Sequence, residues 1–242
     1  MNIENKILNF CKKNRISSTE VADALGKKGV FKNVMQLNTL QNQYCVGRVR
    51  CIFTANKSNY DVHEQIKNVK EGDVVLIFTH NCKNHAIFGG LIAKYLLLYK
   101  LASAIVVEGK VRDAAYLKRE NFSIWCEGVT PLGCYNKKTR SYPLAMKKKL
   151  INQFEGSIAI CDECGVTIIP KKRINKEMFD KLQQIEIQED LWFFCLDTLK
   201  WDTKKIVCDK AYLKDTELLS KNHIRNLSKL KKQSILLIAT VI

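Results

Sequence analysis

Residues 88–113, FGGLIAKYLLLYKLASAIVVEGKVRD, are the stretch from which the fold of this chain follows. Gly89-Gly90 precedes an apolar segment from Leu91 to Leu101, which predicts a helix that begins at the glycine pair. Residues 104–107 (AIVV) are all apolar, a pattern typical of a buried strand. Residues 108–113 (EGKVRD) are predicted to leave that strand and to end the unit. A helix followed by a buried strand indicates an α/β protein.

The two ends of this stretch carry groups that suit an anion and a metal ion. A helix start presents unpaired N–H groups and a positive dipole end, and glycines there allow a ligand close to the backbone. Arg112 has a planar guanidinium suited to a carboxylate or phosphate, and Asp113 has a hard oxygen suited to Mg²⁺ or Mn²⁺. The alternative is a surface Arg–Asp pair in a turn beside glycines retained for packing, and spacing by itself does not choose between them.

Composition limits the class of protein. The chain has 242 residues, 46% of them hydrophobic, enough for one large domain or one domain with an appendage. Its net charge is +16, but the lysines are scattered and no aromatic–basic RNA-binding pattern occurs, so nucleic acid is not the expected partner. Ten cysteines without a secretion signal predict free thiols in a reducing cytoplasm. No apolar run is long enough for a membrane span.

Other segments predict alternating helices and strands. Ser17 and Glu20 fit a capping box before a short helix that Gly26 ends. The remaining predicted elements are helices over 2–13, 60–69, 114–120 and 176–187, and strands over 45–54, 74–79, 123–126, 157–161 and 166–169. The apolar end of the chain, residues 234–242, is expected to be buried in the core or a subunit interface.

Two further motifs contain potential metal ligands. Residues 80–85 (HNCKNH) match no closed zinc site. Asn84 and His85 either line a pocket or belong to an exposed polar loop. Cys161 and Cys164 form a C-x-x-C pair, which could indicate a redox site or half a zinc site. We predict instead that this pair binds no zinc and forms no disulfide.

The order of several short motifs resembles the RraA-like family. That family includes class II 4-hydroxy-4-methyl-2-oxoglutarate/4-carboxy-4-hydroxy-2-oxoadipate aldolases, oxaloacetate decarboxylases and the RraA regulators of ribonuclease E. The motifs that carry the resemblance are STEVADALG (18–26), GRV (47–49), GDVV (72–75), GGLIA (89–93), GKVRD (109–113) and DECGV (162–166).

The resemblance implies a fold and an assembly. It implies an RraA-like swivelling β/β/α layered domain over residues 1–172, including the N-terminal helix. Residues 173–242 are then a C-terminal extension, expected to pack on the core or on a subunit interface. The resemblance also implies a homotrimer or hexamer with active sites between subunits.

The resemblance further implies a function and the residues that perform it. By that resemblance, the enzyme is a divalent-metal-dependent lyase that cleaves a small 2-oxo or hydroxy acid and releases pyruvate. Arg112 holds the substrate carboxylate, and Asp113 helps to bind Mg²⁺ or Mn²⁺. Gly89 and Gly90 open the helix at which the N–H groups of Leu91 and Ile92 hold the pyruvyl carboxylate.

Two positions depart from the aldolase pattern. Aldolases of the family usually carry acidic residues where Gly90 and Tyr116 stand, and the loss of a positioned acid or base typically costs about two to four orders of magnitude in rate. Glu186 or Glu189 of a neighbouring subunit could substitute. The alternative is a catalytically silent protein that either regulates a ribonuclease or binds a small anion. The high positive charge does not favour docking on a basic RNA-binding surface.

Overall fold

The computed structural model describes residues 2–228, which divide into two compact units that meet in sequence between Asn175 and Lys176. The strands described are β1 (Val30–Phe31), β2 (Met35–Gln36), β3 (Cys45–Ala55), β4 (Asp73–His80), β5 (Ala86–Phe88), β6 (Ala104–Val111), β7 (Ile124–Val129), β8 (Ile158–Asp162) and β9 (Gly165–Ile169). The α-helices described are α1 (Ile3–Asn14), α2 (Ser18–Ala24), α3 (Tyr60–Gln65), α4 (Gly90–Lys94), α5 (Ala114–Arg119), α6 (Leu144–Phe154) and α7 (Lys176–Asp197).

The strands of the first unit form one mixed sheet, which confirms the predicted α/β class. Its order is β1-β9-β8-β3-β4-β6-β7-β2, with β5 paired to β6. Strands β3, β4, β6 and β7 are parallel, and β5 is also parallel to β6. The outer pairs β1–β9, β9–β8, β8–β3 and β7–β2 are antiparallel. Parallel strands place their carboxyl ends at one edge, where ligands of α/β proteins commonly bind.

The middle parts of the central strands, such as 74–78 of β4 and 104–107 of β6, are apolar and buried, as expected where both faces of a sheet are covered. Along β6, Ile105 and Val107 belong to one core cluster, whereas Ala104 and Val106 belong to the other. Helices α3, α4 and α5 supply apolar side chains to the first cluster. Strands β8 and β9 and half-buried side chains of α6 supply the second. Alternate residues of one strand therefore stabilise two separate layers.

Local signals set several element boundaries as predicted. Ser17 Oγ accepts from the N–H of Glu20 at 3.1 Å, and Glu20 Oε2 accepts from the N–H of Ser17 at 2.7 Å, so the capping box before α2 is confirmed. Gly26 follows α2 with φ +73°, a left-handed conformation that suits glycine.

The prediction that residues 108–113 leave the strand is wrong for residues 108–111. Strand β6 continues to Val111, and its register against β7 shifts between Val107 and Lys110. Gly109 lies in this irregularity with φ +158°. Pairing with β7 resumes at Lys110 after Glu108 and Gly109, and the strand ends at Val111, directly before Arg112.

The helix after the glycine pair changes its form within two turns. Helix α4 ends at Lys94 and continues as a π-helical turn over Tyr95–Tyr99, where the N–H of Lys100 donates to the carbonyl of Tyr95 at 2.9 Å. The predicted helix is confirmed in position. Its outer side remains apolar, since Leu91 is 81% exposed and Tyr99 is 70% exposed.

The second unit is helical over the residues described. Helix α7 is its longest element, and a helix over 221–228 is the last segment described. Its core contains Leu191, Cys195, Trp201, Ile206, Tyr212, Leu219 and Leu227. The predicted burial of residues 234–242 lies outside the described residues, and the packing of the extension stays a prediction. Among the helices described, none combines the length and apolar character needed to cross a bilayer.

Candidate functional site

The two motifs predicted to form the site meet at the ends of neighbouring parallel strands. Phe88 ends β5 and pairs with Val111, which ends β6. The N–H of Arg112 donates to the carbonyl of Phe88 at 3.0 Å. The glycine pair that follows β5 is therefore held beside the Arg112-Asp113 pair that follows β6.

Asp113 binds the start of helix α4. Its Oδ2 accepts a hydrogen bond of 2.9 Å from the N–H of Gly90, which is an unpaired donor of the first helical turn. A Cβ atom on Gly89 would lie 2.1 Å from the same oxygen. Asp113 itself adopts a left-handed conformation with φ 59°, which aspartate tolerates better than most residues. Gly89 is therefore required for the approach of this carboxylate.

Gly90 has a different neighbour. A Cβ atom on Gly90 would lie 2.8 Å from two ring carbons of Tyr116, which belongs to α5. The Tyr116 ring also contacts Phe122 edge-on, with ring centroids 6.1 Å apart. The aromatic ring thus occupies the space that a side chain at position 90 would need.

The Arg112 side chain lies between Asp113 and Gly133. Its Nε is 4.0 Å from Asp113 Oδ2, and a Cβ on Gly133 would lie 2.5 Å from its Nη1. The side chain is 52% exposed, so the guanidinium is open to a ligand. The planar group can bind a carboxylate through two hydrogen bonds.

These groups line a pocket of about 150 Å³. One side, which we call the strand-end wall, contains the six residues predicted from sequence: Gly89, Gly90, Leu91, Ile92, Arg112 and Asp113. The other side, which we call the loop wall, contains Asn59, His63, Cys134 and Asn136. Ala86 and Phe88 complete the lining. The structure therefore brings these six residues together.

The loop wall was not predicted, although part of it had a signal in the sequence. Asn59 precedes α3 and His63 lies four residues later, so the two share one side of the helix. Asn59 Oδ1 is buried and has no hydrogen-bond partner among the described residues. Its own N–H donates to the carbonyl of Tyr135 at 3.1 Å, which joins α3 to the segment that carries Cys134 and Asn136.

The expectation that Asn84 and His85 line the pocket is wrong. Asn84 is exposed and accepts a hydrogen bond from Lys110. His85 is buried, with its ring 5.9 Å from that of Tyr135 and its Nδ1 without a partner among the described residues. The turn before β5 directs both side chains to other surroundings.

The C-x-x-C pair spans the end of β8, which contains Cys161, and the turn before β9, which contains Cys164. Cys161 is buried, whereas Cys164 is exposed. Between them, Asp162 Oδ1 accepts from the N–H of Cys164 at 2.9 Å and from the Ser18 hydroxyl at 2.7 Å. The turn is thus closed by an aspartate. The absence of zinc and of a disulfide at this pair stays a prediction.

The side chains that line the pocket suit a metal ion that keeps water molecules among its ligands. No cluster of three or more His, Cys, Asp or Glu side chains capable of holding a metal occurs within residues 2–228. Asp113 uses one oxygen for Gly90 and keeps a second oxygen as a ligand. Mg²⁺ is commonly held by one or two carboxylates together with waters and substrate oxygens, so Asp113 fits this type of binding and not a protein cage.

Fold and site together define a mixed α/β protein with a pocket at the carboxyl ends of parallel strands, lined by Arg112 and Asp113. The sequence profile of the RraA-like family, described as Aldolase/RraA, matches residues 18–168. The chain belongs to the RraA-like family.

Individual relatives agree with this assignment. A protein of Halalkalibacterium halodurans, provisionally named a 4-hydroxy-4-methyl-2-oxoglutarate aldolase, is 30% identical over 161 residues, which cover 64% of this chain and 73% of that protein. A structure of an uncharacterized protein from Pseudomonas syringae pv. tomato has a TM-score of 0.62 at 16% identity, and the match covers 80% of this chain and 93% of that chain. The structure of the RNA-processing inhibitor RraA from Thermus thermophilis has a TM-score of 0.51 at 21% identity, and the match covers 63% of this chain and 92% of that chain. These structures show the shared fold.

Proposed function

We propose that this protein is a divalent-metal-dependent lyase that releases pyruvate from a small 2-oxo diacid. The observation that carries the proposal is the pairing of Arg112 and Asp113 with the first turn of α4 around one small pocket. The aldolase-named relative supports the same class of substrate. The activity is cytoplasmic in this proposal, in line with the free cysteines.

The polar groups of the pocket can orient a dicarboxylate. The N–H groups of Leu91 and Ile92 and the guanidinium of Arg112 are donors for the carboxylates, and charge-assisted hydrogen bonds of this kind contribute about 1.5–3 kcal/mol each. Asp113 would hold Mg²⁺ or Mn²⁺ beside the 2-oxo group. A metal bound there would supply Lewis-acid polarisation of that group.

Decarboxylation suits this pocket better than retro-aldol cleavage. Retro-aldol cleavage needs a base for the substrate hydroxyl proton, and the Tyr116 ring occupies the space beside Gly90 where an acidic side chain would lie. Decarboxylation of an oxaloacetate-like acid breaks the bond to CO₂ without prior proton removal and needs one proton afterwards. The imidazole of His63, which lines the pocket, can deliver that proton.

Pyruvate release tests the proposal directly. Oxaloacetate and 4-hydroxy-4-methyl-2-oxoglutarate are each incubated with enzyme and Mg²⁺ or Mn²⁺, with a chelator in parallel. Free metal decarboxylates oxaloacetate in solution, so an equal concentration of Asp113→Ala protein provides the background. We expect release from oxaloacetate above that background, lost with chelator. Equal rates for the wild type and the Asp113→Ala variant would refute lyase activity at this pocket.

A binding experiment separates the lyase from a silent anion-binding protein. Oxalate resembles the planar 2-oxo acid and cannot react, so calorimetry with and without Mg²⁺ reports the site itself. Metal-dependent oxalate binding without pyruvate release would assign the protein to the silent class. Binding that is absent or independent of metal would refute the site.

We also propose that the chain assembles into a homotrimer or hexamer. The exposed apolar side chains Leu91, Leu98 and Tyr99 on one helical segment support this, because such surfaces commonly mark interfaces. Light scattering at micromolar concentration tests it, and a monomer under those conditions would contradict it.

A further inference from the structure

We propose that a second cavity, on the other side of α3 from the pocket, binds a free α-amino acid with an apolar side chain. The cavity has a volume of about 320 Å³ and is lined by α3, the last part of β3 and the first part of α6; we call it the α3–α6 cavity. Small-molecule sites commonly measure about 300–1,000 Å³, so this space suits a small ligand. Within residues 2–228, no residue lines both the cavity and the pocket, and the proposal does not depend on the proposed function.

Helix α3 separates the two sites. Asn59 and His63, four residues apart, line the pocket, whereas Asp61 and Gln65, also four residues apart, line the α3–α6 cavity. Residues four apart share one side of a helix, and residues two apart lie on nearly opposite sides, because a turn contains 3.6 residues. The two sites therefore lie on opposite sides of one helix.

Groups of both charges and apolar side chains line the α3–α6 cavity. Helix α3 contributes carboxylates, and α6 contributes an ammonium group. Strand β3 and the segment that leads into α6 contribute aromatic and aliphatic side chains. The residues that carry these groups are Asp61, Glu64, Lys147, Phe53, Tyr142 and Leu144.

Asp61 and Lys147 are the charged groups available to a ligand. Both residues are half-buried, and neither takes part in an ion pair within residues 2–228, although they line the same cavity. Glu64, in contrast, is paired with Lys67 at 3.2 Å, and its side chain is 56% exposed. Partly buried charges are screened less by salt than exposed ones. Asp61 therefore suits an ammonium group and Lys147 a carboxylate, and a molecule that carries both groups can bind the two residues at once.

Aromatic packing holds the lysine and the strand that borders the cavity. Lys147 Nζ lies 5.3 Å from the centre of the Phe53 ring, a contact that attracts a cation to the ring face. Phe53 and Tyr142 are both buried and meet edge-on, with ring centroids 5.2 Å apart. Gln65 Nε2 donates to the carbonyls of Phe53 and Asp61, both at 2.7 Å, and its Oε1 accepts from the N–H of Phe53 at 3.1 Å. The Gln65 amide is thus committed to the backbone and leaves recognition to the two charges.

An α-amino acid fits these groups better than a dicarboxylate or a simple amine. A dicarboxylate would bring a second negative charge beside Asp61, and an amine without a carboxylate would leave Lys147 without a partner. Leu144, which is 66% exposed, offers contact to an apolar side chain of the ligand. We therefore expect L-leucine and L-phenylalanine to bind.

Calorimetry with the full-length protein tests the class of ligand. L-Leucine and L-phenylalanine are titrated up to millimolar concentrations, together with two analogues of leucine. 4-Methylpentanoate lacks the ammonium group, and 3-methylbutylamine lacks the carboxylate. We expect saturable binding of both amino acids and a Kd at least about tenfold higher for each analogue than for leucine, because each analogue loses one ionic contact. Absence of saturable binding of both amino acids, or equal binding of leucine and an analogue, would overturn the proposal.

Substitutions test whether leucine binds in this cavity. Asp61→Asn and Lys147→Gln each remove one charge at similar size, and each should raise the Kd for leucine by about tenfold or more. Lys148→Gln is the matched control, because Lys148 is an exposed lysine of the same helix that does not line the cavity. We expect Lys148→Gln and the pocket variant Arg112→Ala to bind leucine as the wild type does. Thermal unfolding without ligand shows that each variant is folded before it is titrated.

The same variants separate this proposal from the proposed function. An unchanged Kd for leucine in either Asp61→Asn or Lys147→Gln would overturn the α3–α6 cavity as the binding site. Leucine binding that is lost in Arg112→Ala would place the ligand in the pocket and would also overturn it. Oxalate binding with Mg²⁺ measures the pocket alone, so its absence would contradict the proposed function, whereas the leucine titrations decide this proposal.

Discussion

The two walls of the pocket differ in how the chain positions them. The strand-end wall follows two paired parallel strands, and its members fit each other closely: Gly89 makes room for the Asp113 carboxylate, and Gly90 for the Tyr116 ring. The loop wall joins the start of α3 to a distant segment through a backbone hydrogen bond from Asn59 to Tyr135. The first wall is specified by local packing and the second by tertiary contact. Substitutions in the strand-end wall are therefore expected to have larger effects, which are easier to assign to single contacts.

Asp113→Ala should have the largest effect. The substitution removes the pocket carboxylate suited to Mg²⁺ and also the acceptor for the N–H of Gly90. We expect metal-dependent oxalate binding to fall below detection, a loss of about a hundredfold or more, together with metal-dependent pyruvate release. Calorimetry and the pyruvate assay measure these.

Asp113→Asn is the matched control for this change. Its amide oxygen can still accept from Gly90, whereas its negative charge is lost. If oxalate binding and pyruvate release respond to metal in neither the alanine nor the asparagine variant, Asp113 is assigned to metal binding. Full metal response in the asparagine variant would show that helix capping, and not charge, is the contribution of this residue.

The strand-end wall could be predicted because its determinants are short-range. A glycine pair after one strand and an Arg–Asp pair after the next are visible in sequence, and parallel pairing brings strand ends together. The loop wall could not be predicted in this way, because nothing near Cys134 or Asn136 in sequence indicates that α3 lies opposite. Helix α6 was missed for a related reason: its apolar side chains are only half-buried, and three consecutive lysines interrupt the pattern. The bulge in β6 depends on pairing with β7, which no local pattern reveals.

Arg112→Ala should weaken oxalate binding by about tenfold to a hundredfold, the loss of one or two charge-assisted hydrogen bonds. The fold should be retained, because the side chain is half exposed and belongs to neither core cluster. Arg112→Lys keeps the charge but not the planar geometry, so its Kd should lie between those of the wild type and the alanine variant. An unchanged Kd for Arg112→Ala would remove this residue from the site.

The pair Gly90 and Tyr116 offers a test of packing within the strand-end wall. Gly90→Asp should destabilise the protein by about 1–3 kcal/mol, because its Cβ would overlap the Tyr116 ring. In a Tyr116→Ala background the same substitution should cost at least about 1 kcal/mol less, a coupling that a double-mutant cycle in urea measures. Additive effects would show that the ring does not limit position 90.

Asn59→Ala should have the smallest effect and the most specific one. Asn59 Oδ1 is buried and has no hydrogen-bond partner within residues 2–228, and its side chain makes no capping hydrogen bond to α3. Removing a buried polar group that lacks a partner costs the folded protein nothing and can stabilise it by about 1 kcal/mol, since the desolvation penalty disappears. If the same oxygen accepts a hydrogen bond from a ligand hydroxyl, a hydroxy acid such as glycolate should bind about three- to tenfold more weakly to the variant, whereas oxalate, which has no hydroxyl group, should bind equally. Urea denaturation and paired titrations of the two ligands measure both quantities. A loss of stability with equal losses for both ligands would instead assign Asn59 a structural role in joining α3 to the loop wall.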